Sequence, residues 1–175
     1  MKYSQLLHVL RAAAEISGET SFVIVGSQAV LLLLEHPSDR LTLSDEVDLY
    51  PSNAPDKADA IDGAIGALSR FHDQFGYHAD GVSPSTAVLP ADWMQRATFR
   101  YLGDLTAIVP ELHDLAVSKC VAMRRKDAEF VQALFRDGHI RLEELEARIA
   151  LLDAARWPVP RIIEWARLRA RDAAA

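Results

Sequence analysis

The sequence predicts an α/β (α+β) protein: a small mixed β-sheet core with helices, followed by a C-terminal helical bundle. Three observations carry this. A short β-branched run at 22–25 and a second strand at 47–50 alternate with segments of helical period in the first 110 residues. Residues 97–101 and 105–109 flank a Gly103-Asp104 pair, the signature of a hairpin. From Glu111 onward the apolar spacing is helical almost throughout. The chain is therefore divided into an α/β core over 1–110 and a helical region over 111–175 packed on it.

The elements follow in order. Leu6, Leu7, Leu10, Ala13, Ala14 and Ile16 recur at helical spacing over residues 3–17, and Gly18 is a natural stop. Residues 22–25 form a strand, and Ser27 to Glu35 reads as a strongly apolar helix. His36-Pro-Ser-Asp-Arg is a loop, and Val47 to Tyr50 is the second strand, ended by Pro51. Lys57 to Phe75 reads as one long amphipathic helix with Ile61, Ile65, Leu68 and Phe71 on one face; Gly63 and Gly66 permit close packing and Gly76 stops it. Residues 77–82 form a strand, 83–93 are turn-rich, and the hairpin follows. Helices are expected at 111–124, 127–136, 141–152 and 159–171, with Gly138 separating the second and third.

Bulk composition narrows the function classes. Half of the 175 residues are apolar, enough for a core, and the net charge of -6 argues against a generally basic nucleic-acid binder. A single cysteine, Cys120, excludes an internal disulfide framework and fits a reducing compartment. No Cys/His group has zinc spacing, and the histidines show no pairing with Ser or Cys that suggests a hydrolase. The longest apolar run, Ala29 to Leu34, is too short to span a bilayer, and the N-terminus lacks a signal-peptide core, so a soluble cytoplasmic protein is expected.

Two stretches carry chemistry. In the first, the strand ending at Val25 enters Gly26-Ser27 and a helix, a junction whose backbone N–H groups and helix dipole favour an anion. Glu46 and Asp48 then lie two apart on a strand, so both carboxylates point to one face while Val47 and Leu49 point to the core. Adjacent carboxylates repel unless a cation lies between them, and Mg²⁺ prefers such hard oxygen donors. Asp45 points to the opposite face. Asp80 is the candidate third carboxylate, with Asp104 in the hairpin turn the runner-up. Taken singly, each feature also has a bland reading: a turn capped by Ser27, a solvated acidic face, a turn residue before Gly81.

The second stretch is Asp114-Leu-Ala-Val-Ser-Lys119 followed by Lys126-Asp127-Ala-Glu-Phe130. Lys119 is a lysine among small and apolar neighbours, suited to bind a substrate phosphate. Asp127 lies eight residues on, beyond any contact within one helical turn. At the start of the next helix it either holds that lysine or a substrate hydroxyl, or caps its own helix. Arg124, Arg125 and Lys126 read as a solvated helix end, with RNA contact the alternative. Trp157 and Trp165 read as core rather than base-stacking platforms, and Cys120 as a buried, inert thiol.

Strand, Gly26-Ser27, helix and then Glu46-Val-Asp48 on a strand resembles the nucleotidyltransferase superfamily that includes DNA polymerase β. The Asp114 to Phe130 stretch resembles the helical part of AbiEii-like nucleotidyltransferases, which include toxins of toxin–antitoxin systems. The resemblance covers roughly residues 20–136. It implies that Gly26 and Ser27 hold a triphosphate, that Glu46, Asp48 and Asp80 hold Mg²⁺, and that Lys119 offsets phosphate charge, with Asp127 as a further catalytic residue. It implies an NTP as nucleotidyl donor, a tRNA 3′ end or a protein hydroxyl as acceptor, and an antitoxin-like protein as a partner. Two departures stand out: the first acid is Glu where Asp is usual, and the gap from Ser27 to Glu46 is long. They support the alternative of a catalytically weak relative that binds NTP or a partner protein.

Overall fold

The computed structural model describes residues 1–174. The order of elements is α1 (Tyr3–Ser17), β1 (Ser21–Ile24), α2 (Val30–Leu33), β2 (Glu46–Pro51), α3 (Ala58–Ile65), α4 (Arg70–Phe75), β3 (His78–Gly81), β4 (Thr98–Leu102), β5 (Leu105–Val109), α5 (Leu112–Ala122), α6 (Arg125–Arg136), α7 (Leu142–Ile149) and α8 (Val159–Ala174). Single 3₁₀ turns precede α2, β2, α3 and β4. The chain divides into two compact units, one formed by 1–87 with 97–110 and the other by 88–96 with 111–175.

In the first unit the five strands make a mixed sheet in the order β3-β2-β1-β5-β4. β2–β1 and β5–β4 run antiparallel, and β3–β2 and β1–β5 run parallel. The core is apolar: Phe22 and Ile24 of β1, Val47 and Leu49 of β2, Val109 of β5, and Leu6, Val9 and Ala13 of α1 are fully buried. Burying such side chains contributes about 1.5–3 kcal/mol each relative to exposure. Alternation on β2 leaves Glu46 and Asp48 half-buried on the face opposite Val47 and Leu49, as the two-residue period requires.

Three elements differ from the sequence reading. The helix expected over 27–35 is a 3₁₀ turn at Ser27–Ala29 followed by one short helical segment, ending where Leu34 turns extended. Arg100 Nε donates to Leu32 O at 2.7 Å and satisfies one carbonyl of that short end. The helix expected over 57–75 is broken. Gly66 is extended and ends α3, Leu68 adopts a left-handed φ of 63°, and Ser69 caps α4 by accepting from the His72 N–H. Leu68 is consequently 88% exposed and does not share the buried face of Ile61 and Ile65. Glycine at 66 is required by space, because a Cβ there would overlap Asp62 O; Gly63 has open space around it and permits no close packing. The third difference is that the sequence reading missed the 3₁₀ turn over Trp93–Arg96.

The second unit is helical. Leu115 and Val117 of α5, Val131 and Leu134 of α6, Leu145 and Ile149 of α7, and Ile162 of α8 form its core. Met123 closes α5 in the left-handed conformation, and its N–H bonds Lys119 O at 3.0 Å. Trp157 and Trp165 are half-buried, each beside a guanidinium: Arg156 5.6 Å from the first ring and Arg169 5.1 Å from the second. Among the described residues no helix is long and apolar enough to cross a membrane.

Candidate functional site

The first unit brings the Gly-Ser turn and the acids into direct contact. Val25 N–H donates to Asp48 O at 3.0 Å, continuing the β1–β2 ladder past Ile24. At the next residue the backbone passes against the Asp48 side chain. A Cβ built on Gly26 would overlap Asp48 Oδ2 and lie 2.8 Å from Cγ and 3.0 Å from Cβ. Gly26 has φ -82° and ψ -178°, an ordinary extended conformation open to any residue. Glycine is needed here for space, not for backbone freedom. Ser27 follows at the start of the turn, which closes through Ala29 N–H on Gly26 O at 3.1 Å.

The parallel pairing of β2 with β3 sets the rest. Glu46 lies beside His78 and Asp48 beside Asp80. Neighbours in register point to the same face, so Glu46, Asp48, Asp80 and His78 share one. His78 Nε2 is 3.1 Å from Asp80 Oδ1. Ligand-capable atoms of Glu46, His78 and Asp80 lie within 4.8 Å of one another, and those of Asp45, His72 and His78 do likewise. The Asp45 carboxylate itself is exposed and 3.7 Å from His72 Nε2. Gly81 closes β3 against α3, where a Cβ would overlap Ala58 O, and its N–H donates to Asp62 Oδ1 at 3.2 Å. Asp104 lies in the turn between β4 and β5. The sheet order puts that hairpin at the edge opposite β3, so Asp104 is no neighbour of Asp48.

The Gly-Ser turn that follows β1 thus packs on the second acid of the acid-x-acid strand β2. Residues 4–165 match the model of a family described as "Nucleotidyltransferase of unknown function (DUF6036)". The chain belongs to this nucleotidyltransferase family. No curated protein and no solved structure matches it. The family assignment and the face of β2 and β3 agree in kind, since the two carboxylates of Glu46 and Asp80 and the His78 imidazole are a donor set that could hold a divalent cation, with Asp48 beside Asp80 in the strand register.

Lys119 and Asp127 belong to the helical unit. Lys119 is 8% exposed, with Nζ 3.9 Å from Asp127 Oδ1 and 5.8 Å from the centre of the Phe130 ring. Eight residues of separation are closed because the left-handed Met123 turns α6 back on α5. Asp127 is 1% exposed and accepts from the Arg124 N–H at 3.1 Å and from Arg124 Nε at 2.7 Å. It thus both caps its helix and lies against Lys119. Burial, with Asp127 adding to it, pushes the Cys120 thiol up to about 12, which keeps it an inert thiol.

Three features escaped the sequence reading. His78 was readable, because His-x-Asp on a strand puts both side chains on one face. The stacking of His72 on His78, with ring centres 4.3 Å apart, comes from separate elements and had no local signal. Neither did the clamp on Asp114, which is fully buried. Arg96 Nε and NH2 donate to its two oxygens at 2.8 and 3.0 Å while NH1 and NH2 hold Asp92, and Arg148 Nε lies 3.6 Å away. Burial pushes the Asp114 carboxyl up, with Arg96 acting against it. Asp114 is therefore a structural acid, eighteen residues from its partner.

Proposed function

We propose that the protein transfers a nucleotidyl group from an NTP to a hydroxyl acceptor. The observation that carries this reading is the packing of Gly26 on the Asp48 carboxylate, which puts the Gly-Ser turn against the acidic face. Glu46, Asp48 and Asp80 would hold Mg²⁺. A divalent ion bound there supplies Lewis-acid stabilisation of charge at the reacting phosphorus and a more acidic attacking hydroxyl. The turn at Gly26 and Ser27 orients the triphosphate through backbone N–H groups and the Ser27 hydroxyl, which fixes the α-phosphate for in-line attack. For Lys119 the proposed role is neutralisation of phosphate charge, resting on its chemistry and on its order in the sequence. Asp127 holds that ammonium in place.

The acceptor class proposed is an RNA 3′ end, tRNA first, or a protein hydroxyl, and the proposed context is a toxin acting beside an antitoxin-like protein in the cytoplasm. The net charge of -6 favours a small RNA footprint over a large one. A second reading, an NTP-binding relative that does not transfer, is favoured by Glu46 standing where Asp is usual. The test is transfer of label from each α-labelled NTP, with Mg²⁺, into total tRNA and into cell protein. Transfer by wild type that disappears in Asp48→Ala supports the enzyme and identifies the acceptor class. Mg²⁺-dependent NTP binding without transfer to either fraction supports the second reading.

A further inference from the structure

We propose that His78 is a positioning residue: its Nε2–H donates to Asp80 Oδ1 and sets that carboxylate's orientation for a divalent cation. This rests on the reading that the β2–β3 face holds such an ion.

Four observations support it. His78 and Asp80 alternate on β3 and so share a face, with Nε2 and Oδ1 at 3.1 Å. The ring is fixed: His78 is 5% exposed, its backbone N–H donates to Asp45 O at 3.0 Å, and the His72 ring packs on it with centres 4.3 Å apart. His72 is fixed in turn, since its Nδ1 accepts from Leu68 N–H at 3.1 Å and its Nε2 faces Asp45 Oδ2 at 3.7 Å. Finally, His78 Nδ1 is buried with no hydrogen-bond partner. A buried N–H without an acceptor is costlier than a buried lone pair without a donor, so the ring proton belongs on Nε2. That tautomer makes Nε2 a donor to Asp80. It also disfavours His78 as a direct metal ligand through Nε2, because the proton would then move to Nδ1, where nothing accepts it. A hydrogen-bonded carboxylate is the outer-shell arrangement that orients metal ligands elsewhere, and removing such a partner weakens metal affinity by roughly 10–100-fold.

The probe is Mn²⁺, with its affinity for the whole chain measured by electron paramagnetic resonance in a nitrogen-free buffer. Five proteins are compared: wild type, His78→Ala, His78→Gln, Asp80→Asn and the double variant His78→Ala/Asp80→Asn. The expected result is about a tenfold or greater loss in His78→Ala, and recovery to within about threefold of wild type in His78→Gln, whose amide places a donor near the Nε2 position. In the Asp80→Asn background, His78→Ala has no further effect, because the histidine acts through that carboxylate. A His78→Ala protein that binds as wild type overturns the proposal. So does an equal loss in both backgrounds, which marks a loosened fold, and so does a nitrogen modulation of the Mn²⁺ echo that His78→Ala removes, which marks a direct ligand. Wild type that binds no Mn²⁺ sinks the cation reading itself and the proposal with it, whereas binding indifferent to His78 sinks the positioning role alone.

Discussion

Asp114, in the first turn of α5, and Asp80, on β3, keep very different company. Asp114, in the helical unit, is fully buried and clamped by the guanidinium of Arg96, with Arg148 behind it. Asp80, in the sheet unit, is part-exposed and shares its face with Glu46, Asp48 and one imidazole. The protein's own cations answer the first charge, and the clamp ties residues 92 and 96 to the start of α5. The second belongs to a group of carboxylates and an imidazole that could hold a metal ion. The difference teaches that an acid's role is read from the cations around it rather than from its motif. Asp114 opens the second family-like stretch, yet its structural role is architectural.

The most severe way to break this comparison is Asp114→Ala. Removing the buried partner deprives Arg96 of two of its hydrogen bonds and Arg148 of a neighbouring charge, and about 3–5 kcal/mol of stability should be lost. Urea denaturation followed by circular dichroism measures it, and the loss should be the same with and without Mg²⁺. On the opposite side, Mg²⁺ with NTP at about 100 times its dissociation constant should stabilise wild type by about 2.7 kcal/mol, an increment that Asp48→Ala abolishes.

Gly26→Ala sharpens the point about space. Its backbone angles suit alanine, so the whole effect comes from the methyl group meeting the Asp48 carboxylate. Overpacking of this kind costs about 1–3 kcal/mol. The variant should also lose the Mg²⁺–NTP increment because Asp48 is displaced, and the two readouts come from one denaturation series. If it keeps the increment, the contact between turn and acid has no functional weight.

The smallest effect is on pH. Arg96 holds the Asp92 carboxyl below its ordinary value, Arg141 does so for Glu144 and Arg167 for Glu146. A carboxylate depressed in the folded state adds stability above its unfolded pKa and loses it as pH falls through the folded one. All three pairs lie at the surface and are screened by solvent. These three pairs should therefore add no pH dependence from about pH 8 to pH 5 and a gentle decline of the unfolding midpoint below about pH 4, against which the Asp114 carboxyl, raised by burial, acts with the opposite sign. A steep decline already at pH 6 would contradict this.

Much of this was legible in the sequence because local rules decide it. Gly18, Gly76, Gly103 and Gly138 all take the left-handed conformation that ends a helix or turns a strand. The alternation at Glu46-Val-Asp48-Leu was enough to place both acids opposite the core. What was not legible depends on partners far away in sequence. The long helix over 57–75 is a local exception: it was plausible by periodicity, and it breaks where Gly66 turns extended and Leu68 turns left-handed. Lys119 and Asp127 looked too distant to touch until Met123 turned left-handed, which no propensity favours. Asp80 could be named as a candidate third acid, but only the parallel register of β2 and β3 puts it beside Asp48.

The measurement that tests the central claim most directly is Mn²⁺ binding to wild type, Asp48→Ala and Asp114→Asn in one buffer, each checked for folding by circular dichroism. Wild type and Asp114→Asn should bind with affinities within about threefold of each other, and Asp48→Ala should bind at least about tenfold more weakly. Equal losses in the two variants, or an Asp48→Ala protein that binds as wild type, would contradict the assignment of the cation to the β2–β3 face.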